Sequence, residues 1–200
     1  MHPRTNKILK DLKGKVLDIG CGNGELIVEY AKQNGDITGI DINSVKINNS
    51  KQLAKDNGFD LDNNLFVADL FDLPFEYESF DTIVMQQVLE HISNPEQTIN
   101  HVLQFLKHKG TLIITVPNGF SHIDPDHKNF FFTKDQLELL TGTWVFVVVP
   151  SYFIKHHSLI DIDKFLSVFN QKYLIEQLDY KTSIQPSLDF YIKLKKVNDK

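Results

Sequence analysis

Apolar residues in this chain fall into short unbroken runs separated by longer stretches in which they recur every three or four positions. Lys15 to Ile19 (KVLDI), Ile37 to Ile40 (ITGI), Leu65 to Ala68, Phe80 to Met85 (FDTIVM) and Thr111 to Val116 (TLIITV) read as five strands. Runs without polar alternation belong to strands covered on both faces, the signature of a parallel sheet. The intervening stretches predict helices. One runs from Glu25 to Asn34 and is closed by Gly35; one starts at about Ser44, capped by Asn43 or Ser44, and stops near Gly58. A third opens at Asn94-Pro95-Glu96-Gln97, with a cap, a first-turn proline and a Gln three residues after the cap, and runs to about Leu106, with a turn ending at Gly110. Beyond Pro117 the pattern predicts a helix opened by Thr133-Lys134-Asp135-Gln136 and closed by Gly142, and a sixth strand near Trp144 to Val149. Ile162, Phe165, Leu166 and Phe169 mark one face of a further helix, and Phe190 to Val197 alternates as a seventh strand.

Strands alternating with helices, without internal repeat or linker, imply one α/β domain over residues 1–200. Its sheet is doubly wound and Rossmann-like, and ligands of such sheets sit at the carboxyl ends of the strands. Composition narrows the partners. With 21 Lys and Arg against 26 Asp and Glu, the net charge is -5, which disfavours extended nucleic-acid binding. No apolar run approaches the ~20 residues of a membrane-spanning helix. The N-terminus lacks the apolar block of a secretory signal, and the single cysteine, Cys21, suits a reducing cytoplasm.

Candidate chemistry begins where the first strand meets the first helix. Asp18-Ile19-Gly20-Cys21-Gly22-Asn23-Gly24-Glu25 places three glycines at alternate positions between two carboxylates. A dinucleotide fingerprint is G-x-G-x-x-G, and a pyrophosphate is repelled by flanking acids. The same acids attract a cation. S-adenosylmethionine carries no phosphate but has a sulfonium and an ammonium group, and Asp18 is placed to attract its methionine end, directly or through water. Asp41 ends the second strand where an acid accepts hydrogen bonds from a ribose diol; otherwise it is a solvated carboxylate or a helix cap. Asp69, just past the third strand, is either an acceptor for an adenine amino group or a turn-forming Asp.

Five segments, VLDIGCGNG at 16–24, GIDIN at 39–43, ADLFDLPF at 68–75, FDTIVMQQVLEHI at 80–92 and GTLIITVPN at 110–118, together resemble the ordered motifs of class I S-adenosylmethionine-dependent methyltransferases. The resemblance covers Lys15 to Asn118 and lies with the small-molecule branch, including ubiquinone and menaquinone methyltransferases. It implies sheet order 3-2-1-4-5-7-6 with strand seven antiparallel. It also implies that Asp18, Gly20, Cys21 and Gly22 hold methionine, Asp41 with Ile42 the ribose, and Asp69 with Leu70 the adenine. Gln86 and Gln87 would border the methionine end. Residues 15–118 then form a cofactor half and residues 119–200 an acceptor half.

The sulfonium is already an activated methyl donor, so alignment of nucleophile, carbon and sulfur and exclusion of water suffice for direct in-line transfer to an O or N atom of a small molecule. If the acceptor is a hydroxyl, a base is useful, and His91, His122 and His127 are the imidazoles near expected strand ends. His127 and His91 are the candidates for the catalytic base. Glu90 and the histidines also raise a metal reading, because metal-dependent RNA 2'-O-methyltransferases have a similar Glu-x-x-Glu-His segment. Here Gln87 replaces its first acid, and no metal is expected. The aromatic-rich second half, with Phe120, Phe130 to Phe132, Trp144, Tyr152 and Phe153, reads mainly as core, in part as acceptor wall. Three further readings stand beside a small-molecule enzyme: an NAD-dependent oxidoreductase, disfavoured by the missing spacing of its fingerprint and the flanking acids, a catalytically silent cofactor-binding regulatory subunit and a metal-assisted RNA enzyme; the chain is expected to be a monomer or homodimer.

Overall fold

A computed structural model describes residues 2–117, 126–132, 158–161, 164, 173–179 and 189–196. Its strands are β1 (Lys15–Ile19), β2 (Asp36–Asp41), β3 (Leu65–Val67), β4 (Phe80–Gln86), β5 (Leu106–Pro117), β6 (Asn129–Phe132), β7 (Ser158–Asp161), β8 (Tyr173–Asp179) and β9 (Asp189–Lys196). Seven of them form one sheet in the order β3-β2-β1-β4-β5-β9-β8. The pairs β1 with β2, β1 with β4, β2 with β3 and β4 with β5 are parallel, and β9 runs antiparallel to both β5 and β8. Counted along the chain within this sheet, the order is 3-2-1-4-5-7-6 with the last strand antiparallel, as expected.

Consecutive residues of the central strands are buried on opposite faces, which is why their runs are apolar throughout. Leu17, Ile83, Met85, Leu112 and Ile114 join one core cluster, whereas their neighbours Val16, Val84 and Ile113 join the other. The helices are α1 (Pro3–Asp11), α2 (Glu25–Ala31), α3 (Ser44–Asp56) and α4 (Pro95–Val102). Asn43 caps α3 by accepting from the Val45 and Lys46 N–H groups, and Asn94 caps α4 by accepting from Gln97 N–H at 3.2 Å.

Several expectations are corrected. The helix predicted to reach Leu106 ends at Val102, a 3-10 turn spans Leu103–Phe105, and β5 already starts at Leu106, so Gly110 lies within a strand. Leu106 pairs with Phe80 across a register shift, and that pairing draws the end of the apolar helical pattern into the sheet. The first predicted helix stops at Ala31 rather than Asn34; Asn34 adopts φ +59, and Gly35 N–H closes back on Tyr30 O at 3.0 Å. Helix α1 was not expected. His2 caps it, Pro3 begins it, and Thr5, Ile8, Leu9 and Leu12 bury the side facing the sheet. Asp11 at its end accepts from Tyr191 Oη at 2.6 Å and Lys193 Nζ at 2.9 Å of β9. The sixth strand of the sheet is Tyr173–Asp179, a segment without an assigned element in the sequence reading, and the short parallel pair of β6 with β7 was also not foreseen. The helix predicted over 160–169 is corrected at its start, where Ile160 and Asp161 belong to β7 because they pair with β6, and most of its remainder, the predicted helix from Thr133, the strand near Trp144 to Val149 and His122 lie outside the described residues. No helix among the described residues is long and apolar enough to cross a membrane.

Candidate functional site

At the carboxyl end of β1 the chain turns sharply through the glycine segment into α2, and a cleft of about 180 Å³ opens there. Asp18, Gly20, Cys21, Gly22 and Gln86 line it, joined by Thr5, Asn23, Glu25 and Leu26. Five of the residues expected to hold a cofactor therefore share one cavity. Thr5 was missed because α1 was missed; its signal was the His2-Pro3 start followed by apolar positions at helical spacing.

The turn amides do not point at a ligand phosphate. Gly20 and Cys21 N–H both donate to Ile40 O, at 2.8 and 2.9 Å, and Gly24 N–H donates to Cys21 O at 3.1 Å. Gly22 N–H donates to Asp41 Oδ2 at 3.1 Å. These four donors bind the turn within itself and to the end of β2, where a phosphate-binding turn would aim such donors outward. Gly20 and Gly22 both require left-handed backbone, with φ +72 and +57. A Cβ on Gly20 would meet Val88 Cγ2 at 2.6 Å, whereas one on Gly22 would project into open space. Gly20 is thus glycine for packing as well as backbone, and Gly22 keeps the wall beside the cleft thin.

Asp18 and Asp41 differ sharply in their surroundings. Asp41 accepts a second backbone N–H, from Asn43 at 2.8 Å, so each of its oxygens is held by the main chain. Asp18 is only 2% exposed, and its Oδ1 has no hydrogen-bond partner among the described residues. Burial pushes the Asp18 carboxyl up to about 8, and the nearby Asp41 charge adds to the rise. Cys21 is buried; that burial, reinforced by the Asp18 and Asp41 charges, drives its thiol far above its ordinary value, so it is a spacer and not a nucleophile.

The rim beyond Asp41 carries the remaining cofactor candidates. Ile42 is 73% exposed and Val67, at the end of β3, is 55% exposed. Ala68 N–H donates to Asp41 O at 3.2 Å, which sets the ends of β2 and β3 side by side. Asp69 uses Oδ1 to accept from Phe71 N–H at 2.9 Å, the turn-forming geometry, while its other oxygen makes no hydrogen bond among those described. Leu70 packs partly buried against the core.

The two histidine candidates meet in a second cluster. After β4, Gln87 adopts φ +56 and donates its N–H to Thr115 O at 2.9 Å, and Val88 packs on Gly20. A 3-10 turn over Leu89–His91 follows. The His91 and His127 rings stand edge to face with centroids 4.9 Å apart, His127 being 5% exposed and Glu90 1%. Glu90, His91 and His127 each offer a ligand atom within 4.8 Å of the other two.

Residues 10–148 match the family model described as a methyltransferase domain. The ubiquinone biosynthesis O-methyltransferase of Pasteurella multocida (strain Pm70) is 33% identical over 112 residues, covering 52% of this chain and 46% of that protein. The protein of the same name from Coxiella burnetii (strain Dugway 5J108-111) is 31% identical over 140 residues, covering 70% and 54%. The chain thus spans about half the length of the curated relatives it matches. In fold it resembles the crystal structure of an S-adenosylmethionine-dependent methyltransferase from Methanosarcina mazei, with a TM-score of 0.64 at 20% identity over 98% of both chains. Matched domain, sheet order and glycine turn agree, and the chain belongs to the class I S-adenosylmethionine-dependent methyltransferases.

Proposed function

We propose that this protein transfers the methyl group of S-adenosylmethionine to an oxygen atom of a small molecule. The observation that carries the reading is Asp18, a buried carboxyl with an unpartnered oxygen on the wall of a cleft whose turn amides are committed elsewhere. Such a wall complements an ammonium and a sulfonium and rejects a diphosphate. Asp18, Gly20, Cys21 and Gly22 would border the methionine end together with Gln86, and Asp41 and Ile42 would take the ribose. Asp69 and Leu70 would border the adenine.

The reaction would be a single displacement. An acceptor lone pair forms the new bond to the methyl carbon, the electrons of the carbon–sulfur bond return to sulfur, and the acceptor proton leaves to a base or to water. The by-product is S-adenosylhomocysteine, a neutral thioether, and loss of the sulfonium charge favours its release from an acidic wall. Oxygen as the receiving atom is supported by the names of the two O-methyltransferase relatives.

Thermal unfolding with S-adenosylmethionine, S-adenosylhomocysteine and NAD tests the cofactor, since a ligand at 100 times its dissociation constant stabilises by about 2.7 kcal/mol. A shift with NAD alone would refute the reading. Turnover of S-adenosylmethionine against pools of hydroxylated small molecules then tests transfer. Cofactor binding without turnover against any pool would favour a silent regulatory subunit.

A further inference from the structure

We propose that His101, in the last turn of α4, is a positioning residue for the adenine: it fixes Asp69 through Phe71 and thereby sets how strongly and how selectively the base is held. The inference rests on the proposal that Asp69 and Leu70 border the adenine.

After β3 the chain runs to the end of α4 before it enters β4. The far end of this segment is fastened by the main chain, with Glu78 N–H donating to Gln104 O at 2.9 Å and Ser79 N–H to Phe105 O at 3.0 Å. Phe75 meets both Phe66 and Phe80 edge to face, with ring centroids 6.1 and 5.2 Å away. The near end carries Asp69. It accepts from Phe71 N–H on Oδ1 at 2.9 Å and from Asp72 N–H on its main-chain O at 3.0 Å, two bonds that close a turn on itself. The turn is tied to the rest of the fold by Ala68 N–H on Asp41 O, by Leu70 against the core and by the Phe71 ring on His101.

Phe71 is 47% exposed, yet its ring centroid stands 5.4 Å from that of His101, with the planes tilted by 40°. His101 is packed in turn on Phe105, 5.4 Å away at 73°, and Tyr77 meets Phe105 edge to face at 5.3 Å. Rings about 4.5–7 Å apart in such arrangements attract beyond the area they bury. His101 Nε2 is buried without a hydrogen-bond partner among the described residues, so the ring meets its neighbours as an aromatic face. Phe71 N–H holds Asp69 Oδ1, and releasing the Phe71 ring therefore releases the carboxylate. A carboxylate fixed at one angle accepts from the exocyclic amino group of adenine and faces a carbonyl when an oxo group replaces that amine. Such a mismatch costs affinity, whereas a carboxylate on a loosened turn swings away from it.

The test titrates the 200-residue chain by calorimetry with S-adenosylhomocysteine and with S-inosylhomocysteine, which carries an oxo group in place of the purine amine. The wild type is expected to prefer the adenosyl ligand at least about tenfold. His101→Leu keeps the bulk but not the aromatic face; it should weaken the adenosyl ligand about three- to tenfold, change the inosyl ligand little, and so narrow the preference. His101→Phe should restore both affinity and preference. Phe71→Leu, at an exposed position, should repeat the loss, and the double variant should lose no more than either single one, because all three remove the same contact. Circular dichroism checks that each variant is folded. A wild type that binds neither ligand refutes the cofactor reading itself. Where the wild type binds, the inference alone is overturned by indifference to the base, by wild-type affinity and preference in His101→Leu or Phe71→Leu, by equal losses for both ligands, by no rescue in His101→Phe, or by losses that add in the double variant.

Discussion

Replacing Asp18 with Asn tests the electrostatic design of the cleft, because Asn matches the shape of the protonated acid but cannot ionise. The folded carboxyl titrates at about 8, against 3.8 for an unperturbed Asp. Between these values the native chain holds a proton that the unfolded chain has released. Stability must therefore fall as pH rises through this window, by up to about 1.4 kcal/mol per unit. The contribution is fully present below about 4 and lost once pH passes about 8, giving a ceiling of about 6 kcal/mol over the whole interval. Asp18→Asn should match the wild type below about pH 4 and become progressively more stable than it from there to about pH 8, where the difference levels off. Function should move the other way. An entering ammonium favours the ionised carboxylate, so binding of S-adenosylmethionine at pH 6 to 7 should release about one proton and weaken about tenfold per unit as pH falls. Calorimetry in phosphate and in Tris at pH 7 measures that proton through the buffer-dependent enthalpy, and urea unfolding across pH measures the stability difference. A wild-type minus Asp18→Asn difference that is flat from pH 5 to 9, together with buffer-independent binding enthalpy, would refute the argument.

Asp41→Ala removes the acceptor of the Gly22 and Asn43 N–H groups and the charge that raises Asp18. It should weaken both adenosyl ligands and shift the pH window of the Asp18 effect downward, as read by the same calorimetric titrations. Gly22→Ala places a side chain at φ +57 with no steric clash, so it should cost about 1 kcal/mol of stability in chemical denaturation while narrowing the ligand cleft. Asp11→Asn loosens the tie of α1 to Tyr191 and Lys193. The Asp11 carboxyl lies below its ordinary value, held there against its burial by hydrogen bonds from Tyr191 and Lys193 and by the Lys193 and Lys7 charges. The tie is therefore intact above pH 4 and lost below it, and the variant should cost about 1–2 kcal/mol at pH 7 with a shallower acid-unfolding curve.

The sheet and its cofactor turn were legible because their causes are local. Val16 to Ile19, Ile83 to Met85 and Leu112 to Val116 are buried on both faces, so the hydrophobic run itself announces a central strand. The glycines and flanking acids of 18–25 announce a tight, acid-flanked turn between strand and helix through residue chemistry that no fold is needed to read. Helix α1 was legible in principle, from its proline start and the spacing of Thr5, Ile8, Leu9 and Leu12, but a short polar N-terminal segment becomes a helix here by packing on the sheet and tying Asp11 to β9.

Other features depend on pairs of segments distant in sequence. Leu106 became a strand residue because Phe80 pairs with it, and Asn129 to Phe132 became a strand because Ser158 to Asp161 lies alongside. The sequence by itself determined the parallel sheet and the acidic glycine turn, since both follow from composition and spacing within a few consecutive residues, whereas the strand order came only from the resemblance to a family. Only the tertiary structure decided that the amides of that turn are spent on β2 and on the turn itself, that burial raises the Asp18 carboxyl, and that Glu90 and His91 meet His127. Hydrogen-bond satisfaction, desolvation and convergence of ligands are properties of neighbours in space, and a one-dimensional pattern does not contain them.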